Sequence, residues 1–339
     1  MMATDAVRAA SVGIGWWSDE WAKAARRTEA LRIVACYTRS EEKRRRFAKE
    51  FGCREKGSYE ELLQDPEVEA VLLSTPHSVH ADQTVAAAGA GKHVLCQKPL
   101  TLTVRDALRA SEACRRAGVV LAAGHQRRRQ PGVRKLKELL EGGTLGRAVQ
   151  VEGNLSYGLG WTLKPGNWRG DPQESPSGGM TALGVHHADT FQYLLGPVTR
   201  VMAMSKSLFS ETPLEDVTSL LLEFESGAQG YLSTNLVSPK VFSIHVFGTE
   251  ANAIVENEGT RLRLQRKGKD EWEEVPLPHI ANPLTDPLVE ELGDFARAIR
   301  GGGKPEVGAE EGTRAVAVLE ATGLSAREGR AVELRELYP

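Results

Sequence analysis

The chain lacks the features that would mark a secreted, metal-binding or membrane-spanning protein. Its 339 residues include only four cysteines, Cys36, Cys53, Cys96 and Cys114. They are scattered without metal-ligand spacing, so no metal is expected. Cys36, Cys96 and Cys114 stand in apolar surroundings and read as small core residues of a reduced, cytoplasmic protein rather than as a disulfide frame. No window approaches the ~20 apolar residues of a membrane span, and residues 1–20 lack the apolar core of a secretion signal. An excess of one charge is missing too. A net charge of −2 with 26% charged residues gives no electrostatic case for nucleic acid or an anionic membrane as the main partner. The run Lys43-Arg44-Arg45-Arg46 is flanked by acids at helical spacing, as on a solvated helix face. There is no internal repeat and no low-complexity segment. The length is sufficient for two domains with ample core.

What is present begins with a strand from Arg8 that runs into Gly13-Ile14-Gly15-Trp16-Trp17-Ser18, followed by an amphipathic helix through Arg27. This is a G-x-G-x-x-G turn with serine in the third position. The first glycine permits the tight turn, and the second lets backbone approach a pyrophosphate. The third position admits close helix–strand packing, which serine can approximate. A second strand, Leu31 to Tyr37, ends in Thr38-Arg39-Ser40. Asp or Glu at that end would bind the ribose 2′-hydroxyl of NAD. A hydroxyl beside a guanidinium suits a 2′-phosphate instead and favours NADP, although Arg39 could equally just precede the next helix, with Ser40 as its N-cap. Strand–helix units then repeat: strand Val68 to Ser74 ending in Ser74-Thr75-Pro76-His77, helix from His80, strand His93 to Cys96, helix Thr103 to Ala117, strand Val119 to Ala123. That grammar predicts a doubly wound parallel sheet over residues 1–123. In such a sheet the strand ends open onto the ligand crevice, which places Gln97 and Lys98 at a candidate site.

After Gly124 the grammar changes, and residues 124–339 read as a second, α+β domain. A basic loop, His125 to Arg129, precedes a helix over Gly132 to Leu140 and a strand over Gly146 to Leu155. Tyr157 to Gly179 is rich in glycine, proline and tryptophan and reads as a long functional loop. A helix over Gly179 to Leu195 precedes six strands, with Ser226-Gly227 as a hairpin turn. Helices over Leu288 to Arg300 and Glu310 to Glu328 follow. The expectation is a large, mostly antiparallel sheet with helices on one face, its open face covered by another copy as homodimer or homotetramer.

Together these motifs resemble the Gfo/Idh/MocA family of NAD(P)-dependent oxidoreductases, which act on sugars, inositols and related polyols. The resemblance spans nearly the whole chain. It rests on Gly13-x-Gly15, Thr75-Pro76-x-x-x-His80, Gly91-Lys92-His93-Val94 through Lys98-Pro99, Arg127-Arg128-x-x-Pro131, Trp168-Arg169 and Gly178-Gly179-x-x-x-x-Gly184-x-His186-x-x-Asp189. Two positions depart from it: Gln97 stands where the family has Glu, and Ala182 where it often has an acid. The resemblance implies proton handling by Lys98 and His186 without that acid. It also implies a cofactor site drawn from Gly13, Gly15, Trp16, Trp17, Thr38, Arg39, Ser74, Thr75, Pro76, His80, Gln97, Lys98 and Gln126.

Hydride transfer between a nicotinamide and a secondary alcohol or ketone requires a proton transfer at the oxygen. A lysine can supply it where burial and a neighbouring cofactor disfavour its charged form, and a neutral imidazole can relay the proton. Asp189 at i+3 shares the helix face of His186, where it would orient that ring or bind a hydroxyl. Arg128, Trp168 and Arg169 are substrate-side candidates: an indole face suits the C–H surface of a sugar, and a guanidinium suits its hydroxyls or a carboxylate. The missing acid leaves two other readings open, a non-catalytic NAD(P)-binding sensor and a redox-assisted glycosidase.

Overall fold

The computed structural model describes residues 6–339. In chain order the first elements are β1 (Val7–Val12), α1 (Trp16–Ala25), β2 (Leu31–Tyr37), α2 (Glu41–Phe51), β3 (Arg54–Glu55), α3 (Tyr59–Gln64), β4 (Ala70–Leu73), α4 (His80–Gly89), β5 (His93–Gln97), α5 (Val104–Ala117) and β6 (Leu121–Gly124). They are followed by α6 (Pro131–Glu141), β7 (Ala148–Ser156), α7 (Val185–Leu195), β8 (Val198–Lys206), β9 (Val217–Phe224), β10 (Gln229–Asn235), β11 (Val241–Gly248), β12 (Ala251–Glu256), β13 (Arg261–Arg266) and β14 (Glu273–Glu274). The last are α8 (Thr285–Gly301), α9 (Ala309–Glu328) and β15 (Val332–Glu333). Among the described residues, no helix is long and apolar enough to cross a membrane.

The chain forms two units. The first comprises the residues up to Thr101, Asp106–Gln126 and Leu284–Thr313. Its six-stranded sheet has the order β3-β2-β1-β4-β5-β6, every pair parallel. Strands covered on both faces need apolar residues on both, and all of β4 is buried accordingly. The strand order reverses direction between β1 and β4, the place where a doubly wound sheet binds its ligand.

This unit differs from the contiguous division at residues 123 and 124. The stretch containing α8 belongs to it rather than to the second unit. The cause is a long-range apolar seam: Leu288, Leu292 and Phe295 of α8 pack with Val7, Trp21 and Leu31. Polar contacts fix the helix there. Trp21 Nε1 donates to Glu291 Oε2 at 3.0 Å, Arg27 pairs with Asp286 at 2.7 Å, and Arg300 makes two 3.0 Å bonds to Glu69.

The second unit comprises Leu102–Arg105, Arg127–Pro283 and Arg314–Pro339. Its nine-stranded sheet runs β14-β13-β12-β11-β7-β10-β9-β8-β15. It is antiparallel except where β10 pairs parallel with β7. The alternation of β9 explains its two faces: Leu220, Leu222 and Phe224 are buried, whereas Leu221 is 60% exposed. The helix expected over 179–195 is two segments, a π-turn at Met180–Gly184 and then α7.

Candidate active site

In the first unit the phosphate-binding turn is built by close approach. Gly13 has φ +86°, and a Cβ there would lie 2.7 Å from the Ser74 carbonyl carbon and the Thr75 nitrogen. Only glycine fits, on both backbone and packing grounds. Gly15, at the start of α1, has open space where a Cβ would point. Ser18 is fully buried and does more than replace a glycine. Its hydroxyl accepts from the Gly15 N–H at 2.8 Å and donates to the Gly15 carbonyl at 2.7 Å. The Ser74 hydroxyl donates to the Gly13 carbonyl at 2.7 Å. A pinned glycine turn with open space above a helix N-terminus fits a dinucleotide's pyrophosphate.

The two tryptophans of this turn separate. Trp16 is 59% exposed at the first position of α1. Trp17 packs edge-on against Trp21 and against the core seam. At the end of β2, Arg39 is exposed, and its side chain forms no ion pair or hydrogen bond among the described residues. Arg44, which the sequence reading passed over, braces this turn from below: its Nη1 donates to the Thr38 carbonyl at 2.6 Å.

At the carboxyl edge of the sheet, β5 ends in buried Gln97, half-buried Lys98 and a cis Lys98–Pro99 peptide. A Cβ at Gly124 on neighbouring β6 would meet Gln97 Nε2 at 2.7 Å, so glycine there makes room for the Gln97 amide. Gln97 Nε2 and Gln126 Oε1 are both buried without a hydrogen-bond partner. Buried polar atoms of this kind fit a bound polar group better than an apolar interior. Pro76 leads into a short helical turn over His77–Val79. Thr75 donates its hydroxyl to Gln83 Oε1 at 2.6 Å. His80 is fully buried, with Nδ1 2.9 Å from the Pro99 carbonyl and Nε2 3.0 Å from the Thr75 carbonyl. Both ring nitrogens thus face backbone carbonyls.

In the second unit, His186 is buried in the first turn of α7. Its neighbour His187 faces the sheet, 3.1 Å from the Ser243 carbonyl and between Phe191 and Phe242. Burial, with Arg127 nearby, pushes the His187 imidazole down to about 3. Asp189 and Arg128, each expected on the substrate side, engage each other. Arg128 Nε and Nη2 bond the two carboxylate oxygens at 2.7 and 2.6 Å, and the guanidinium lies over the Tyr193 ring. Trp168 and Arg169 share a single helical turn, the guanidinium stacked 4.3 Å over the indole.

The stretch expected as a basic loop is instead a buried helical turn over Gln126–Arg129. Sequence reasoning also missed Glu258. It sits at φ +56° beside Asn257 at φ +51°, an uncommon backbone for both. It bonds Arg127 at 2.7 Å and Lys240 at 3.1 Å. Burial alone would raise its carboxyl, but those two cations outweigh it and hold it below the usual range. Nothing in the local pattern marks it. Ala182 lies inside the π-turn, and the adjacent Thr181 hydroxyl accepts from the Ser177 N–H at 3.2 Å, so it is occupied locally.

A parallel sheet in this strand order with a pinned glycine turn defines a doubly wound, dinucleotide-binding class of fold. Residues 7–125 match the oxidoreductase family with an NAD-binding Rossmann fold, and residues 133–254 match the GFO/IDH/MocA C-terminal domain. The chain is 31% identical to 1,5-anhydro-D-fructose reductase of Ensifer adhaerens, over 95% of this chain and 97% of that one. It is 30% identical to myo-inositol 2-dehydrogenase of Thermotoga maritima, over 82% and 83% respectively. Among solved structures it resembles a candidate NADPH-dependent oxidoreductase from Desulfitobacterium hafniense, with a TM-score of 0.93, 35% identity and coverage of 99% and 100%. The chain belongs to the Gfo/Idh/MocA oxidoreductase family. It is an enzyme, and its first unit is an NAD(P)-binding Rossmann domain.

Proposed function

We propose that Lys98 and His186 handle the proton in hydride transfer at a secondary alcohol or ketone of a sugar, inositol or related polyol. The chain is an NAD(P)-dependent oxidoreductase of that general kind. One observation carries it: Lys98 follows β5 in the same unit, and at the same sheet edge, as the pinned turn Gly13–Gly15. When bound, the nicotinamide supplies the hydride acceptor or donor. Gly13, Gly15, Ser74, Thr75, Gln97 and Gln126 hold the cofactor, Trp16 flanks it, and Pro76 shapes the turn. Lys98 binds the reacting oxygen, and His186 relays its proton.

On the substrate side, Trp168 offers its ring to C–H faces and Arg169 its guanidinium to hydroxyls. Arg128 and Asp189 act as a neutralised pair, presenting to hydroxyls whatever hydrogen-bonding capacity their mutual bonds leave. The preference for NADP is supported by Thr38 and exposed Arg39, with Arg44 beneath them. A cytoplasmic location is supported by thiols that are free and mostly buried. Assembly as a homodimer or homotetramer through the larger sheet is supported by exposed Met202, Leu221 and Tyr231, which are in register across three strands. The decisive experiment is a screen of sugars and cyclitols against NAD and NADP, followed by nicotinamide absorbance. Turnover of a polyol with preference for NADP is the expected result, and no turnover with any polyol would overturn the reading.

A further inference from the structure

The turns at Thr75 and at Lys98 meet on one side chain. His80 opens α4 and is fully buried. It aims Nδ1 at the Pro99 carbonyl oxygen, 2.9 Å away, and Nε2 at the Thr75 carbonyl oxygen, 3.0 Å away. A carbonyl oxygen only accepts, and a neutral imidazole carries one N–H. A neutral ring would satisfy one carbonyl and set its second nitrogen's lone pair against the other. Both contacts are attractive only when both nitrogens carry hydrogen.

We propose that His80 is a doubly protonated positioning residue that ties the Lys98–Pro99 turn to the Thr75 turn through its two ring N–H groups. Burial opposes a charged ring, and charge-assisted bonds, roughly twice as strong as neutral ones, favour it. The groups around it are mixed in sign. The His77 ring lies edge-on at 5.7 Å. Asp82 of the same helix is paired with Arg109 of α5 at 2.7 Å, and Lys98 stands next to the bonded Pro99. The strap reaches further than two turns. The Thr75 nitrogen is one of the atoms that a Cβ at Gly13 would strike, and Ser74 bonds the Gly13 carbonyl. One ring thereby braces the ends of β1, β4 and β5 and fixes where Lys98 stands relative to the dinucleotide turn. The catalytic part of this inference rests on the role proposed for Lys98; the protonation and the bracing do not.

The test uses the full chain with ¹⁵N-labelled histidine, His80 being assigned by comparison with His80→Gln. At about pH 7.5, where an ordinary histidine near ~6.5 has lost its second proton, both His80 nitrogens should resonate as protonated. One unprotonated nitrogen overturns the proposal. Amide exchange provides a second readout that needs no turnover. In His80→Gln, residues 75–79 and 98–101 should exchange at least ~10-fold faster together, because the strap that closes both is cut. Unchanged exchange at either segment overturns the bracing. With a substrate in hand, His80→Gln should lower kcat by ~10-fold to ~10²-fold while KM moves little, as misplacement of a reacting group does. Its pH profile should also lose the limb that coincides with His80 deprotonation. A kcat and a profile equal to the parent's would show that His80 does not act on Lys98. If the parent turns over no polyol, the first two readouts still decide the proposal.

Discussion

The Arg128–Asp189 pair gives the sharpest stability prediction. Its side chains are 6% and 1% exposed, and two bonds of 2.7 and 2.6 Å join them. Asp189→Asn keeps the shape but removes the charge and turns one acceptor into an N–H₂ group facing the guanidinium. The buried cation then loses the carboxylate that bonds both its Nε and Nη2, a change that costs about 3–5 kcal/mol in comparable pairs. One acceptor survives in Asn, so about 3 kcal/mol is expected, or roughly 4 °C in Tm for a chain of this size. Arg128→Met leaves the carboxylate buried instead and should cost as much or more. The combination Arg128→Met with Asp189→Leu strands neither charge and should be less destabilised than either single change. Urea unfolding of the four proteins reads the cycle. Single losses below about 1 kcal/mol, or losses that simply add in the double variant, would refute the argument that this pair is a mutually dependent buried unit.

Two other predictions concern the cofactor and pH. If Arg39 meets a 2′-phosphate, Arg39→Ala should weaken NADP binding by about 1.5–3 kcal/mol in calorimetric titration and leave NAD nearly unchanged. Equal loss for both cofactors, or none, would contradict the NADP preference. His187 lies at about 3 in the folded chain, and its unfolded value is near ~6.5. Between those limits the unfolded chain binds a proton that the folded chain does not, so stability falls as pH drops. His187→Gln should remove about 1.4 kcal/mol per pH unit of that slope between about pH 6 and about pH 4. Parallel stability curves for parent and variant would mean that the ring is not buried neutral.

Much of this architecture is legible in the sequence because local signals carry it. The apolar strands, the glycine turn at Gly13 and the hairpin at Ser226-Gly227 each announce themselves over a few residues. Non-local events were not readable. The return of α8 to the first unit depends on Leu288 and Phe295 meeting Trp21, far away in sequence. Strands β3, β14 and β15 have two residues each, too few for any periodicity. The π-turn at Met180–Gly184 looks like ordinary helix in an apolar pattern. In the site, residue types were legible and partners were not. The sequence did not reveal that Arg128 and Asp189 bond each other or that both His80 nitrogens face carbonyls, and Glu258 has no local signature.

The central claim is that Lys98 and His186 carry the proton chemistry although Ala182 replaces the acid. The most direct measurement is single-turnover and steady-state kinetics of Lys98→Ala, His186→Ala and the double variant with NADP binding checked for each. General acid–base groups contribute ~10²–10⁴-fold, so Lys98→Ala should lose at least ~10²-fold in kcat and still bind NADP. His186→Ala should lose less, about 10-fold to 10³-fold, because water partly replaces a relay. The double variant should be little worse than Lys98→Ala alone, as for residues that act as one group. Unchanged turnover in Lys98→Ala would contradict the account outright, and fully multiplicative losses would show that the two residues do separate work.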